Sequence, residues 1–338
     1  KKNGGLRFCV YYRKLNDATI KDSYPLPRID DTLDALGGSQ WFSTLDLKSG
    51  YWQVTMDPAD KEKTAFSIGG GLWHFRVMPF GLCNSPANFE RLMDHVLAGL
   101  PWNVCLVYLD DIIVHGRTFS EQLENLQKVF ACLKKAKLKL SPEKCNLFRR
   151  EVKYLGHIIS SNGVATDPLK IDSVKDWPRP ACLAEMRSFL GLCSYYRKFI
   201  RNFAEIANPL IRLTQKNVQF VWDSDTENAF RQLKCLLTNT PVLSFLSDEG
   251  TLILDTDASG VAIGAVLSQK QDNEEKVIAY FSRSLDRTQR QYCATRRELL
   301  AVVKSLAHFH PYLYGRTFII RTDHSSLRWL MNFKHAEG

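Results

Sequence analysis

Residues 107–114 read Val-Tyr-Leu-Asp-Asp-Ile-Ile-Val, two acids set between short apolar runs. The runs at 104–109 and 112–114 have strand composition, which puts Asp110-Asp111 at the turn between two strands. An Asp-rich hairpin turn is the ordinary explanation, since aspartate accepts local backbone hydrogen bonds. Yet two carboxylates flanked by Tyr-Leu and Ile-Ile-Val repel one another and are costly to desolvate unless a cation joins them. Upstream, residues 41–47 (WFSTLDL) alternate so that Phe42, Thr44 and Asp46 share one face and Trp41, Ser43, Leu45 and Leu47 the other. A strand ending in Asp46 beside Asp110-Asp111 gathers three negative charges. Such a set suits two divalent ions about 3.5–4 Å apart, as phosphodiester synthesis requires. Mg²⁺ favours a few carboxylates together with waters and phosphates.

Outward from these strands the pattern mixes both periodicities. Residues 6–12 (LRFCVYY) and 51–56 (YWQVTM) have strand composition, 15–40 is rich in turns, and 63–78 fits a hairpin turning at Gly69-Gly70-Gly71. Ser85 as N-cap and Pro86 at the first helical position open a helix with Phe89, Leu92, Met93, Val96 and Leu97 on one face. A second helix from near Ser120 carries the stripe Leu123, Leu126, Val129, Phe130 and Leu133. Residues 152–159 form a strand before the Ser161-Asn162-Gly163 turn. The stretch 167–215 is helical, punctuated by Pro168, Pro178 and Pro180, and 216–249 reads as a connecting region. From Thr251 an α/β unit follows in the order strand, strand, helix, strand: TLILDTDAS, KVIAYFSRSL, RELLAVVKSLAHF and RTFIIRTD. Its helix is expected to bury Leu299, Val302, Val303 and Leu306 and to leave Glu298 near its start, where the helix dipole alone favours an acid.

The chain has 338 residues, 45% of them hydrophobic and 24% charged, too much apolar material for one ordinary core and too little polarity for disorder. A net charge of +9 suits a polyanion, though it also suits an anionic membrane surface or simple solubility. No apolar run approaches the roughly 18 residues needed to span a bilayer. The nine cysteines include no C-x-x-C pair and read as reduced, buried thiols of a cytosolic or nuclear protein. His308 and His310 have no neighbouring Cys, which argues against zinc. The chain opens mid-pattern and stops at Gly338 without a closing element, as expected of a fragment of a polyprotein.

Tyr108-Leu109-Asp110-Asp111 resembles the YxDD signature of reverse transcriptases. LDLKSGYWQV (45–54) is similar to their first catalytic motif and MPFGLCNSP (78–86) to the segment beside the incoming nucleotide. KYLGHIIS (153–160), MRSFLGLCSYYRKFI (186–200), TDAS (256–259) and RTDHSSLRWL (321–330) extend the resemblance, across essentially the whole chain, to the gypsy-type LTR retrotransposon Pol polyprotein. The resemblance implies an α+β fold: a right-hand polymerase of fingers, palm and thumb followed by an incomplete RNase H-like α/β domain. The implied parts are fingers and palm at 1–165, thumb at 166–215, connection at 216–249 and the RNase H-like part at 250–338.

By the same resemblance Asp46, Asp110 and Asp111 bind two Mg²⁺, with Mn²⁺ as an alternative, and Tyr51 is the steric gate against a ribose 2′-hydroxyl. Arg7 contacts the triphosphate, with Lys1 or Lys2 as a second contact. Phe80 and Gly81 flank the nucleotide and template base, and Leu155, Gly156 and His157 form the primer grip. Tyr51 and Phe80 are otherwise core aromatics, Arg7 an exposed strand residue and Gly156 a strand bulge. Asp257, Glu298 and Asp323 are the implied metal ligands of the RNase H-like part, with Asp255 the runner-up for the first. Two features depart from the family pattern. Val10-Tyr11-Tyr12-Arg13 lacks the usual acid near Arg13. The fourth RNase H acid and the histidine-bearing loop are not reached by Gly338, so weak or no RNase H activity is expected, with that core partly exposed. The implied partners are an RNA template, a DNA primer, an RNA/DNA hybrid, dNTPs, and the protease and integrase of the rest of the polyprotein. No membrane partner is implied. The setting is a cytoplasmic virus-like particle, with the nucleus left open. An RNA-directed RNA polymerase and a non-catalytic nucleic-acid binder are the competing readings.

Overall fold

The computed structural model describes residues 8–330. Two compact units divide the chain, one ending at Leu155 and the other beginning at Gly156.

The first unit runs through α1 (Arg13–Ala18), α2 (Ile29–Asp34), β1 (Trp41–Asp46), α3 (Pro58–Lys61), the short hairpin β2 (Phe66–Ser67) and β3 (Leu72–Trp73), α4 (Ser85–Val96), β4 (Cys105–Tyr108), β5 (Asp111–Gly116), α5 (Phe119–Lys135), β6 (Asn146–Arg149) and β7 (Glu151–Tyr154). Its main sheet has the order β4-β5-β1-β6, all antiparallel. Leu45, Leu47, Ile112 and Val114 from the sheet meet Phe89 and Met93 of α4 and Leu126, Val129 and Leu133 of α5 in one buried cluster.

Several expected elements differ. Of the strand expected at 6–12, residues 8–12 form none and the first two lie outside the described residues; the Tyr12 hydroxyl donates to the Thr64 carbonyl. Residues 50–53 turn as a 3₁₀ helix rather than continuing as a strand, with Trp52 N–H bonded to Ser49 O and Val54 N–H to Tyr51 O. Ser85 is the first helical residue rather than the cap; Asn84 holds the cap position, and the Ser85 hydroxyl donates to Pro79 O. On α5, Leu123 and Phe130 lie exposed while Gln122 and Asn125 turn inward. Their amide nitrogens find partners there, Gln122 donating to Ser43 Oγ and Val114 O, and Asn125 to His115 O, while Gln122 Oε1 is buried without a partner among the described residues.

The second unit opens with the hairpin β8 (His157–Ser160) and β9 (Gly163–Thr166), then α6 (Pro168–Lys175), α7 (Leu183–Tyr195), α8 (Phe203–Ile206), α9 (Asn208–Leu213) and α10 (Ser224–Thr238). There follow β10 (Leu252–Ala258), β11 (Ala262–Gln271), β12 (Glu274–Ser284), α11 (Ala294–His308), α12 (His310–Leu313), β13 (Phe318–Arg321) and α13 (Ser325–Leu330). The four strands order as β12-β11-β10-β13, with β13 parallel to β10 and the others antiparallel. The connecting region thus contains a 15-residue helix, α10, capped by Asp223 accepting from Thr226 N–H. Strand β11 was not expected: its Ala-Ile-Gly-Ala opening carries little strand signal, yet most of it is buried.

Helix α11 is turned from its expected face. Glu298, Ala301 and Ser305 are buried, whereas Leu299 and Val303 are 38% and 52% exposed. Small Ala301 and Ser305 let the helix approach the sheet closely, which the bulkier aliphatic stripe would prevent. All nine cysteines are free, but only Cys105 and Cys193 are buried, and Cys9, Cys182, Cys235 and Cys293 are exposed. Among the described residues, no helix is long and apolar enough to cross a membrane.

Candidate active sites

Antiparallel pairing of β1 with β5 sets Asp46 directly opposite Asp111, and β4–β5 pairing sets Tyr108 opposite Asp111. The connection is therefore a two-residue turn of Leu109 and Asp110. Leu109 takes a left-handed conformation, φ 57°, which is costly for a branched residue. The Asp111 carboxyl is pushed up to about 6, first by burial and then by the charges of Asp110 and Asp46, with Lys144 opposing. Since Asp111 as a residue is open to solvent, the like-charge repulsion is the firmer of these causes. Asp46 is drawn toward Lys144, whose ammonium lies 2.9 and 3.0 Å from its two carboxylate oxygens. The three acids thus sit at adjacent strand ends, but they do not close into a set with ligand atoms within 4.8 Å of one another.

Among the described residues one trio does so: Asp257, Glu298 and Asp323. Parallel pairing places Asp255 opposite Arg321, and Asp257 and Asp323 follow two residues later on each segment, Asp323 just past the end of β13. Glu298 reaches them from the second turn of α11 and is 7% exposed. Its carboxyl is raised by burial and by Asp257 and Asp323, against the Ala258 N–H and His324. Oε2 of Glu298 is buried without a hydrogen-bond partner among the described residues, an oxygen that a cation would satisfy. Asp255 is engaged elsewhere. Arg321 forks onto it at 2.5 and 2.7 Å and also binds Glu275 at 2.5 and 3.1 Å, and Asp255 stands outside the trio.

The sequence family described as reverse transcriptase (RNA-dependent DNA polymerase) matches residues 1–159, and that described as an RNase H-like domain found in reverse transcriptase matches 222–320. Over 333 residues, 97% of this chain and 31% of the relative, it is 42% identical to the Retrovirus-related Pol polyprotein from transposon 297 of Drosophila melanogaster. The chain belongs to the retrotransposon Pol polyproteins, in their reverse-transcriptase and RNase H-like part. The Pol polyprotein from transposon gypsy of the same organism is 39% identical over 338 residues, 96% of this chain and 32% of the relative. The chain therefore spans about a third of the length of these curated relatives. A foamy viral protease-reverse transcriptase solved with double-stranded DNA shares the fold, with a TM-score of 0.84 at 27% identity over 100% of this chain and 70% of that one.

In this Pol segment the remaining expected positions fall as follows. The Tyr51 ring lies 5.3 Å from both Phe80 and Phe89, and its hydroxyl is raised by burial, then by Asp110 and Glu90. The 3₁₀ turn brings it there, and Gly50 is required beside it, since a Cβ would meet the Phe89 ring at 2.8 Å. Gly81 has φ 98° and its carbonyl accepts from Asn16 Nδ2 at 2.8 Å. Leu155 and Gly156 are both left-handed, φ 45° and 71°, forming a tight turn rather than a strand bulge. The Gly156 carbonyl accepts from the Tyr196 hydroxyl, and the His157 ring is buried and stacked on Phe199. Arg13, which lacks the family's acid, lays its guanidinium 4.9 Å over the Tyr11 ring. Arg7, Lys1 and Lys2 lie outside the described residues. Sequence reasoning missed Lys144, Glu90, Tyr154 and His324. Only proximity in the fold reveals them, apart from His324, which directly follows Asp323.

Proposed function

We propose that this chain is an RNA-directed DNA polymerase that extends a DNA primer on a retrotransposon RNA template, with a tethered RNase H-like domain acting on RNA/DNA hybrids. The observation that carries the proposal is the register Asp46 opposite Asp111, which gathers three acids at neighbouring strand ends under mutual repulsion. Asp46, Asp110 and Asp111 would hold two Mg²⁺, or Mn²⁺, and Asp257, Glu298 and Asp323 a second such set. When bound, the ions supply activation of the attacking hydroxyl and neutralisation of the leaving group's charge. The protein's own residues do the rest. The β4–β5 turn presents Asp110 and Asp111 to the reacting phosphate. Tyr51, braced by Phe80 and Phe89, excludes a 2′-hydroxyl by volume, which favours dNTPs. Gly81 and Phe80 border the nucleotide, Arg7 reaches its triphosphate, and Leu155, Gly156 and His157 steady the primer end.

The foamy viral relatives solved with double-stranded DNA and with an RNA/DNA hybrid support duplex partners. Net charge +9 supports backbone-dominated, salt-sensitive binding. The protease and integrase belong to the rest of the polyprotein in this proposal, and the setting is a cytoplasmic particle with access to the nucleus. Primer extension on an RNA template tests it. DNA synthesis from dNTPs with Mg²⁺ is expected. Equal use of rNTPs would favour an RNA-directed RNA polymerase, and no synthesis with either set would overturn the proposal.

A further inference from the structure

Glu90 is wholly buried within α4, beneath the turn that carries the acid pair. Its Oε2 accepts the Leu109 N–H at 2.7 Å, and its Oε1 is buried with no hydrogen-bond partner among the described residues. Across the turn, Tyr154 of β7 is 3% exposed and its hydroxyl donates to the Asp111 carbonyl at 3.4 Å. These two side chains hold the backbone immediately before Asp110 and immediately after Asp111. A buried carboxyl with an orphaned oxygen costs stability, and a left-handed leucine adds to that cost. An apolar residue at position 90 would avoid the first cost, and a glycine at 109 the second. Both costs are concentrated against the same two aspartates.

We propose that Glu90 and Tyr154 are positioning residues, a buried clamp that fixes the Leu109–Asp110 turn and so sets the affinity of the acid pair for a divalent ion. The proposal rests on reading Asp46, Asp110 and Asp111 as a metal site. Glu90 acts by hydrogen bonding, as an acceptor for Leu109 N–H. A glutamine amide oxygen would serve that function, whereas a methionine of similar length would not.

The test measures Mn²⁺ binding to the chain alone, from the electron paramagnetic resonance signal of free Mn²⁺, in a D257N background that removes the second trio. Thermal unfolding is followed in parallel. E90Q should bind Mn²⁺ as the parent does, and E90M about tenfold more weakly, the size of one lost hydrogen bond to a buried group. Adding L109G to E90M should recover most of that loss, because glycine takes the left-handed conformation without the clamp. Y154F, which keeps the ring, should weaken binding by about threefold through its lost hydrogen bond. If E90M fails to fold, E90M/L109G and Y154F carry the same decision. Parent-like Mn²⁺ affinity in a folded E90M, or in Y154F, would overturn the clamp while D110N still abolishes binding. If D110N binds Mn²⁺ as the parent does, the metal-site reading itself fails.

Discussion

The Lys144 ammonium bridges both carboxylate oxygens of Asp46, at 2.9 and 3.0 Å. The Pro142–Lys144 turn that delivers it is also fastened to β1 by the Ser141 N–H on the Asp46 carbonyl. A fixed cation on one of the three acids competes with a metal for the same oxygens. The pair is partly solvated, with side chains 64% and 24% exposed, so its worth is small. K144M should therefore tighten Mn²⁺ binding to the free chain by roughly 2–5-fold, within the ~1 kcal/mol of an exposed pair. Unchanged affinity by calorimetric titration would show that the ammonium does not compete.

Tyr51 should govern sugar choice. Y51V removes the ring from its contacts with Phe80 and Phe89 and opens the space it fills. The ratio of rNTP to dNTP incorporation should rise at least about tenfold, the ~1.4 kcal/mol expected from relieving a steric clash. A ratio unchanged in single-nucleotide incorporation assays would return Tyr51 to the role of a core aromatic.

The acid pair should make stability pH-dependent. The Asp111 carboxyl lies near 6 in the folded chain against an ordinary 3.8, so folding favours its protonated form. That contribution is present below 3.8 and is lost as pH rises through about 6. D111N should thus melt above the parent at pH 7.5 in metal-free buffer, by roughly 2–4 °C for about 1 kcal/mol, a size kept small because the residue faces solvent. The difference should vanish at pH 4. A constant difference across that range would refute the linkage.

In the second unit, E298Q removes a buried charge from a trio of acids. Without divalent ions its melting temperature should rise by roughly 2–4 °C. The further rise that Mg²⁺ produces in the parent should be lost. Differential scanning calorimetry with and without Mg²⁺ reads both effects. A parent-like response to Mg²⁺ would remove Glu298 from the ligand set.

Asp46, Asp110 and Asp111 are legible because carboxylates between apolar strands are expensive and need a reason, whereas Asp257, Glu298 and Asp323 are legible through the family resemblance. Their supports were not legible. Lys144 meets Asp46 across 98 residues, and Glu90 meets Leu109 across 19, so neither pairing leaves a local pattern. On α11 the aliphatic bulk of Leu299 and Val303 points to a face that the fold leaves exposed. There the close packing of Ala301 and Ser305 decides, and it brings Glu298 inward with them. At 50–53 the chain turns despite its β propensity, and the 3₁₀ turn sets the Tyr51 ring against Phe80 and Phe89, contacts that the local sequence does not reveal.

Primer extension on an RNA template, run with the parent chain and with D110N side by side, tests the polymerase site most directly. Mg²⁺-dependent DNA synthesis is expected of the parent, and in D110N a loss of at least about a thousandfold, ~4 kcal/mol of barrier, with duplex binding retained. Equal synthesis by the two chains would contradict it.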